Sequence, residues 1–339
     1  MRSFQYIKQC VLLGLLSLFT IQCSDDSEEV GMKPVADFEV SATDLEEHNS
    51  VTFTDLSTNT PTLWTWNFPG GNPTYSNQPN PTVIYDIPGV YPVTMTVRNE
   101  DGADEITKTD YITVTGKPIV YLSRYGLSGN LNDEGTNSIT AVSTYGTPTY
   151  TQDKDGNDNG AWQCPGVAGQ RLEVPGFKGI GADGARTVMA WFKTPAVGSR
   201  KTIVSFGKNA QGSMFNVMVQ SGKIRIEAGS CSLFSTSTGL DNDKWHHIAV
   251  TFDPEDGDKL QNAKIYIDGI LDVNRIDEAG GSYRSEEVVI NTDVTTNDVR
   301  IGDANYTDKY FFQGAISDVR ILSSALIGEQ IVAIMNGDK

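Results

Sequence analysis

The pattern of apolar and polar positions changes character twice along the chain. Residues 11–21 read VLLGLLSLFTI, behind Arg2 and Lys8, an apolar run too short to span a bilayer comfortably as a permanent helix. From residue 34 onward, apolar positions fall in short runs rich in Val, Ile, Thr, Tyr and Phe, separated by Gly, Asn, Asp and Pro. ADFEV, SVTFTDLS, LWTWNF, TVIYDI, VYPVTMTVRN and DYITVT follow one another between residues 36 and 115. Alternation sets Tyr91, Val93, Met95 and Val97 on one face, and Trp64 shares a face with Trp66. After Lys117-Pro118 the order resumes with TVMAWFKT, TIVSFG, FNVMVQ, KIRIEA, WHHIAVTFD, AKIYIDG, DVRIGD and FFQGAISDVRIL. Ser221-Gly222 and Asp268-Gly269 are two-residue hairpin turns between such runs. A helical period enters only in the last fifteen residues, where Ser324 is placed to cap a helix to Met335 with Ala325, Ile331 and Ile334 inward. These patterns predict an all-β chain, a small sandwich over 34–116 and a larger two-sheet jelly roll over 119–339.

The apolar run at the start ends at Cys23, and Ser24-Asp25-Asp26-Ser27-Glu28-Glu29 follows directly. A basic start with a short apolar core reads as an export signal over 1–22. The segment resembles a bacterial lipoprotein signal with Cys23 as the lipidated residue, although Gln22 replaces the usual small residue. The acidic run resembles the tag of surface lipoproteins of the Bacteroides group, so 23–33 is read as an acidic tether behind an outer-membrane, cell-surface anchor. Acyl chains contribute about 0.8 kcal/mol per buried methylene, enough for two or three to hold a soluble body on a membrane.

Family resemblances come from motifs in order. Trp66-Asn-Phe-Pro-Gly-Gly71, Asn80-Pro-Thr-Val-Ile-Tyr85 and Gly89-Val-Tyr-Pro-Val-Thr-Met-Thr-Val97 together resemble a PKD domain. That resemblance implies an immunoglobulin-like sandwich acting as a spacer, with Trp66 in its core. Thr187-Val-Met-Ala-Trp-Phe-Lys193, Lys244-Trp-His-His-Ile-Ala-Val-Thr-Phe252, Lys264-Ile-Tyr-Ile-Asp-Gly269 and Tyr310 to Leu322 resemble laminin-G-like, concanavalin A-like jelly rolls. Gly129 to Gly135 and Asn159-Gly-Ala-Trp162 match that family's opening. The resemblance implies recognition of a glycan or a protein. It also implies a calcium ion at a sheet edge, for which Asp133, Asn137 and Asp318 are the candidates. The family's final-strand acid falls at Ser317, and strict alternation turns Asp318 to the other face. The alternative is that all three are turn residues.

Charge and composition narrow the partners. Setting aside Arg2 and Lys8 leaves 24 basic against 43 acidic residues, which argues against nucleic acid and against membrane contact except through the lipid. Cys164 and Cys231 are left as either an exported disulfide or two separate buried thiols. Gly179-Ile-Gly-Ala-Asp-Gly184 fits a dinucleotide pattern, but a strand follows it where that chemistry needs a helix. Asp155 to Gly160 starts like a calcium loop yet has Gly166 at the twelfth place. His246 and His247, adjacent on a strand, face opposite ways and cannot ligate one ion. No E-x-D acid spacing and no G-x-S-x-G elbow occurs, so catalysis is not expected. The expected activity is non-catalytic glycan capture at the cell surface. Loop aromatics Tyr283, Tyr306 and Tyr310, near Asp303 and Asn305, are the candidate sugar contacts. A protein-binding adhesin or subunit of a surface complex is the alternative, and an unrecognised hydrolase the third class.

Overall fold

Side chains two apart along a strand share a face, so the alternating runs must fold with one side dry. A computed structural model describes residues 31–272 and 286–337. Two compact units divide them, the first ending at Gly116 and the second beginning at Lys117. Cys23 and Tyr283 lie outside the described residues.

The first unit packs two sheets. One runs in the order Phe38–Val40, Asn49–Asp55, Thr82–Tyr85, Gly71–Asn72. The other runs Asp44–Glu46, Gly102–Thr115, Gly89–Asn99, Leu63–Asn67, Tyr75–Ser76, and only its first pairing is parallel. Val93, Met95 and Val97 are fully buried from one face, with Tyr91 packed beside them. Trp66 is the centre, with ring centroids at 5.1 Å from Phe38, 5.7 Å from Phe53 and 5.5 Å from Phe68. Its indole Nε1 donates to the Gln78 carbonyl at 2.9 Å, which removes the cost of burying the N–H. Trp64, on the same face but nearer the rim, donates to Asp55 at 2.7 Å.

The second unit is the expected pair of antiparallel sheets. One runs Thr149–Thr151, Ala161–Pro165, Gln313–Leu322, Arg186–Lys193, Trp245–Phe252, Lys264–Ile267, Ile270–Leu271. Tyr121–Tyr125 joins it by pairing with Gln313–Leu322. The other runs Val142–Ser143, Leu172–Val174, Val299–Ile301, Lys201–Gly207, Met214–Gln220, Lys223–Glu227, Ser232–Phe234. Inward residues of both sheets, such as Val188, Phe192, Phe206, Phe215, Ile226 and Ile248, make one core. Both anticipated hairpin turns form. Ser221 and Gly222 have φ of 49° and 72°, and Asp268 and Gly269 have 50° and 81°, the two positive values a type I′ turn requires. The loop Gly179 to Gly184 leads into the strand Arg186–Lys193.

One open alternative is resolved here and two expectations are corrected. Of the two readings left open, Cys164 and Cys231 are two separate buried thiols and not a disulfide. Burial pushes the Cys164 thiol well above its ordinary value. The terminal helix runs Gly328–Met335 with Ile327 at its N-cap, not Ser324. The Ser324 hydroxyl donates instead to the Pro118 carbonyl at 2.8 Å and accepts from Val120 N–H at 3.3 Å, fastening the two ends of this unit together. Ser317 and Asp318 both reach the outer side. The register against Arg186–Lys193 slips between Met189 and Trp191, and Asp318 takes φ 45°, so a bulge absorbs one residue of the alternation.

Removing the Trp66 ring from its fully buried position leaves a cavity among three other rings. Trp66→Ala is expected to destabilise the first unit by about 3–5 kcal/mol, read as a loss of urea midpoint in a fragment or full-chain unfolding curve.

Candidate functional site

The outer face of the eight-stranded sheet is partly covered and partly open. The strand Arg186–Lys193 sends Val188, Ala190 and Phe192 into the core and Met189, Trp191 and Lys193 outward. Trp245–Phe252 likewise sends Trp245, His247 and Ala249 outward. The C-terminal segment covers one end, where Leu326, Ile331 and Ile334 pack on Met189, Ala249 and Tyr266. Past that cover the two tryptophans remain half-buried. Trp191 lies opposite His247 and Trp245 opposite Lys193, so the two residues are diagonal cross-strand neighbours, their backbones roughly 7–8 Å apart by sheet geometry.

Two open clefts lie against these indoles. The larger, about 360 Å³, is lined by Trp191 with Arg124, Asp153, Lys154, Asp318 and Arg320. The second, about 240 Å³, is lined by Trp245 with Gln152, Asp153, Gln163, Lys193 and Asp243. Asp153 belongs to both. The first cleft exists because Gln313–Leu322 changes neighbour. It pairs with Ala161–Pro165 as far as Ile316, and with Tyr121–Tyr125 from Val319 onward. Ser317 and Asp318 occupy the notch, where the Ser317 hydroxyl donates to Gly160 O at 3.0 Å and Asp318 N–H donates to Gly126 O at 3.3 Å.

Fixed partners set the electrostatics of this face. Both Asp318 oxygens accept from Arg320, at 2.9 and 2.7 Å, and Arg124 Nε approaches at 3.4 Å. Burial pushes Asp153 up, but N–H groups of Asn157 and Asp155 outweigh it and hold the carboxyl below its ordinary value. This Asp153-centred turn is what the calcium-loop-like stretch Asp155 to Gly160 builds. Lys154 Nζ binds both oxygens of Asp155 and lies 5.0 Å from the Trp191 ring centroid. His247 sits 5.1 Å from that ring. Burial drives its pKa down to about 4, against a smaller upward pull from Asp318 and Asp268. His246 faces the opposite way, held by Asp268 and Asn242 at 2.9 and 3.2 Å.

The residues anticipated for calcium do not assemble into a cation cage. Asp133 accepts backbone N–H groups of Arg124, Gly135 and Ile139, Asn137 donates to Ser123, and Asp318 is clamped by arginines.

The anticipated sugar-binding loop is also different. Asp303 is fully buried and Asn305 nearly so. Burial, with a contribution from Asp308, pushes Asp303 up to about 6. Asn305 donates to Gly207 O and its own N–H is bound by Ser205. Tyr306 donates to Glu227 at 2.7 Å, and Arg200 and Arg225 reach the other Glu227 oxygen at 2.9 and 2.8 Å. Tyr310 packs edge-on to Tyr306 and under the Arg200 guanidinium. The loop therefore packs on the outer face of the seven-stranded sheet, with Tyr306 and Tyr310 half-buried. The tryptophan face was not singled out in advance, although alternation alone turns Trp191 and Trp245 away from the core.

A family model for the PKD domain matches residues 31–114. One described as the concanavalin A-like lectin/glucanases superfamily matches residues 168–332. A PKD domain over 31–114 is thus followed by a concanavalin A-like domain over 168–332. No curated protein matches it. Among solved structures it is similar to the botulinum neurotoxin serotype D binding domain, at 15% identity and TM-score 0.44, covering 64% of this chain and 50% of that one. It is similar to the binding domain of Paraclostridial Mosquitocidal Protein 1, at 13% identity and TM-score 0.46, covering 64% and 52%. The CBM40 of the Ruminococcus gnavus IT-sialidase is similar at 16% and TM-score 0.35, covering 48% and 95%. The chain thus spans about half the length of the two toxin binding domains. The tryptophan face lies within the concanavalin A-like domain.

His247 supplies a test of this face. Its folded pKa of about 4 lies below the ordinary 6.5, so the neutral ring stabilises the fold above pH 6.5. That contribution, about 3 kcal/mol, is lost as pH falls through 4. His247→Gln is expected to flatten the acid limb of unfolding free energy between pH 7 and 4, measured by denaturant titration.

Proposed function

We propose that the concanavalin A-like domain captures a carbohydrate without cleaving it, on the Trp191–Trp245 face. One observation carries the reading. Two half-buried indoles stand on one sheet face, flanked by Gln152, Gln163, Lys193 and Asp243. An indole offers a plate for the apolar face of a pyranose, and amide, ammonium and carboxylate groups around it meet hydroxyls. The superfamily's description as lectins and glucanases agrees with a sugar ligand.

The acids on this face speak for binding over hydrolysis. Glycoside cleavage needs one carboxyl held protonated beside a second. Asp153 is held below its ordinary value, and Asp318 is ion-paired with Arg124 and Arg320. The PKD domain is read as a spacer, and Cys23 as the point of lipid attachment on an outer membrane facing outward.

Residues 24–339, made without lipid, should bind saturably to one polysaccharide class on an array of plant, host and microbial glycans. Trp191→Ala together with Trp245→Ala should lower that affinity at least a hundredfold at unchanged melting temperature. Chelator should leave binding intact, since Asp133 and Asp318 are occupied internally. Silence across the array would overturn the glycan reading and turn the search to protein partners. For the anchor, intact mass of the membrane fraction should show acyl chains on Cys23, and Cys23→Ala should move the protein out of that fraction. An unmodified Cys23 in membrane-bound protein would defeat it.

A further inference from the structure

The two clefts differ in one respect that bears on what fills them. Lys193 and Asp243 border the Trp245 cleft, and no described residue makes a cation–ring contact with that indole, whereas the Lys154 ammonium stands 5.0 Å from the Trp191 ring centroid. Lys154 is held there at one end by Asp155, at 2.7 and 2.8 Å, on a turn that Asp153 organises. Asp153 forms the shared wall of the two clefts, so they adjoin and one ligand can enter both.

Resting on the glycan reading, we propose that the face binds at least two sugar rings of one chain, one on each indole. In this proposal Lys154 occupies the Trp191 subsite until the second ring displaces it. A cation over an indole at an exposed site is a weak contact, one the incoming ring must replace. The exposed ion pair with Asp155 adds little resistance, so displacement is within reach of one stacked sugar. The Trp245 cleft, bordered by Gln163, Gln152 and Lys193, takes the first ring without such competition. Lys154 is therefore a specificity residue: it reduces the affinity that the second ring adds and so tempers the preference for longer chains over single sugars.

Oligosaccharide ladders of one to six units, from β-1,4-glucan, β-1,4-xylan, β-1,4-mannan and α-1,4-glucan, test this by calorimetry and indole fluorescence. In the ladder that binds, affinity should rise at least tenfold between the monosaccharide and the di- or trisaccharide, then level off. Trp191→Ala should erase the rise but keep the monosaccharide affinity, and Trp245→Ala should remove both. Lys154→Ala should strengthen di- and trisaccharide binding several-fold and leave the monosaccharide unchanged. Trp191→Phe, which keeps a plate and the fold, should retain the rise. Full affinity for the monosaccharide, or a rise untouched by Trp191→Ala, would overturn the two-ring site while leaving glycan binding standing. Weaker binding in Lys154→Ala would overturn displacement. Failure of every ladder and of the polysaccharide array overturns the glycan reading itself, and the two-ring site with it.

Discussion

The second unit depends on one strand holding three neighbours at once. Gln313–Leu322 pairs from Ala315 to Leu322 with Arg186–Lys193, and on its other edge with Ala161–Pro165 and then Tyr121–Tyr125. Two strands cannot share one edge without a gap, and backbone groups in a gap still need partners. The bulge at Asp318 answers both demands. It turns a peptide toward Gly126, lets Ser317 reach Gly160, and keeps both side chains on the outer face. The notch beside Trp191 is thus a consequence of strand pairing.

The opposite sheet meets the same demand differently. Glu227, Arg225 and Asn216 point outward from its middle strands, yet all are buried. Buried charge survives only when paired and hydrogen-bonded. Glu227 meets this with two guanidiniums and the Tyr306 hydroxyl. Asp303, Asn305 and Tyr306 of the loop Gly302 to Phe312 thus spend their polar groups on that sheet and its neighbours.

How much of this was legible in the sequence follows from what alternation can carry. Period two marked the strands, the inner faces and the Ser221-Gly222 and Asp268-Gly269 turns, because those depend on neighbours in the chain. It failed at Asp318, where the extra residue is dictated by two strands about 155 and 195 positions away. It failed at Ser324, whose hydroxyl is claimed by Pro118 and Val120, far back in the chain. Tyr306 and Tyr310 read as loop aromatics, and nothing local reveals that Glu227 and Arg200 wait above them. Trp191 and Trp245 could have been found: they sit between inward-facing residues on strands already recognised, and an outward indole is the exception that asks for an explanation.

The clasp at Ser324 has a mechanical side. Because the unit's first strand, Tyr121–Tyr125, lies directly beside Gln313–Leu322, the entry of the chain is two ladders from the strand that carries Trp191. Tension from a polymer seated on that indole would run through Arg186–Lys193, Gln313–Leu322 and Tyr121–Tyr125 toward Lys117. The load path stays within a single sheet and bypasses the hydrophobic interior, so a pull on the ligand need not pry the sandwich apart.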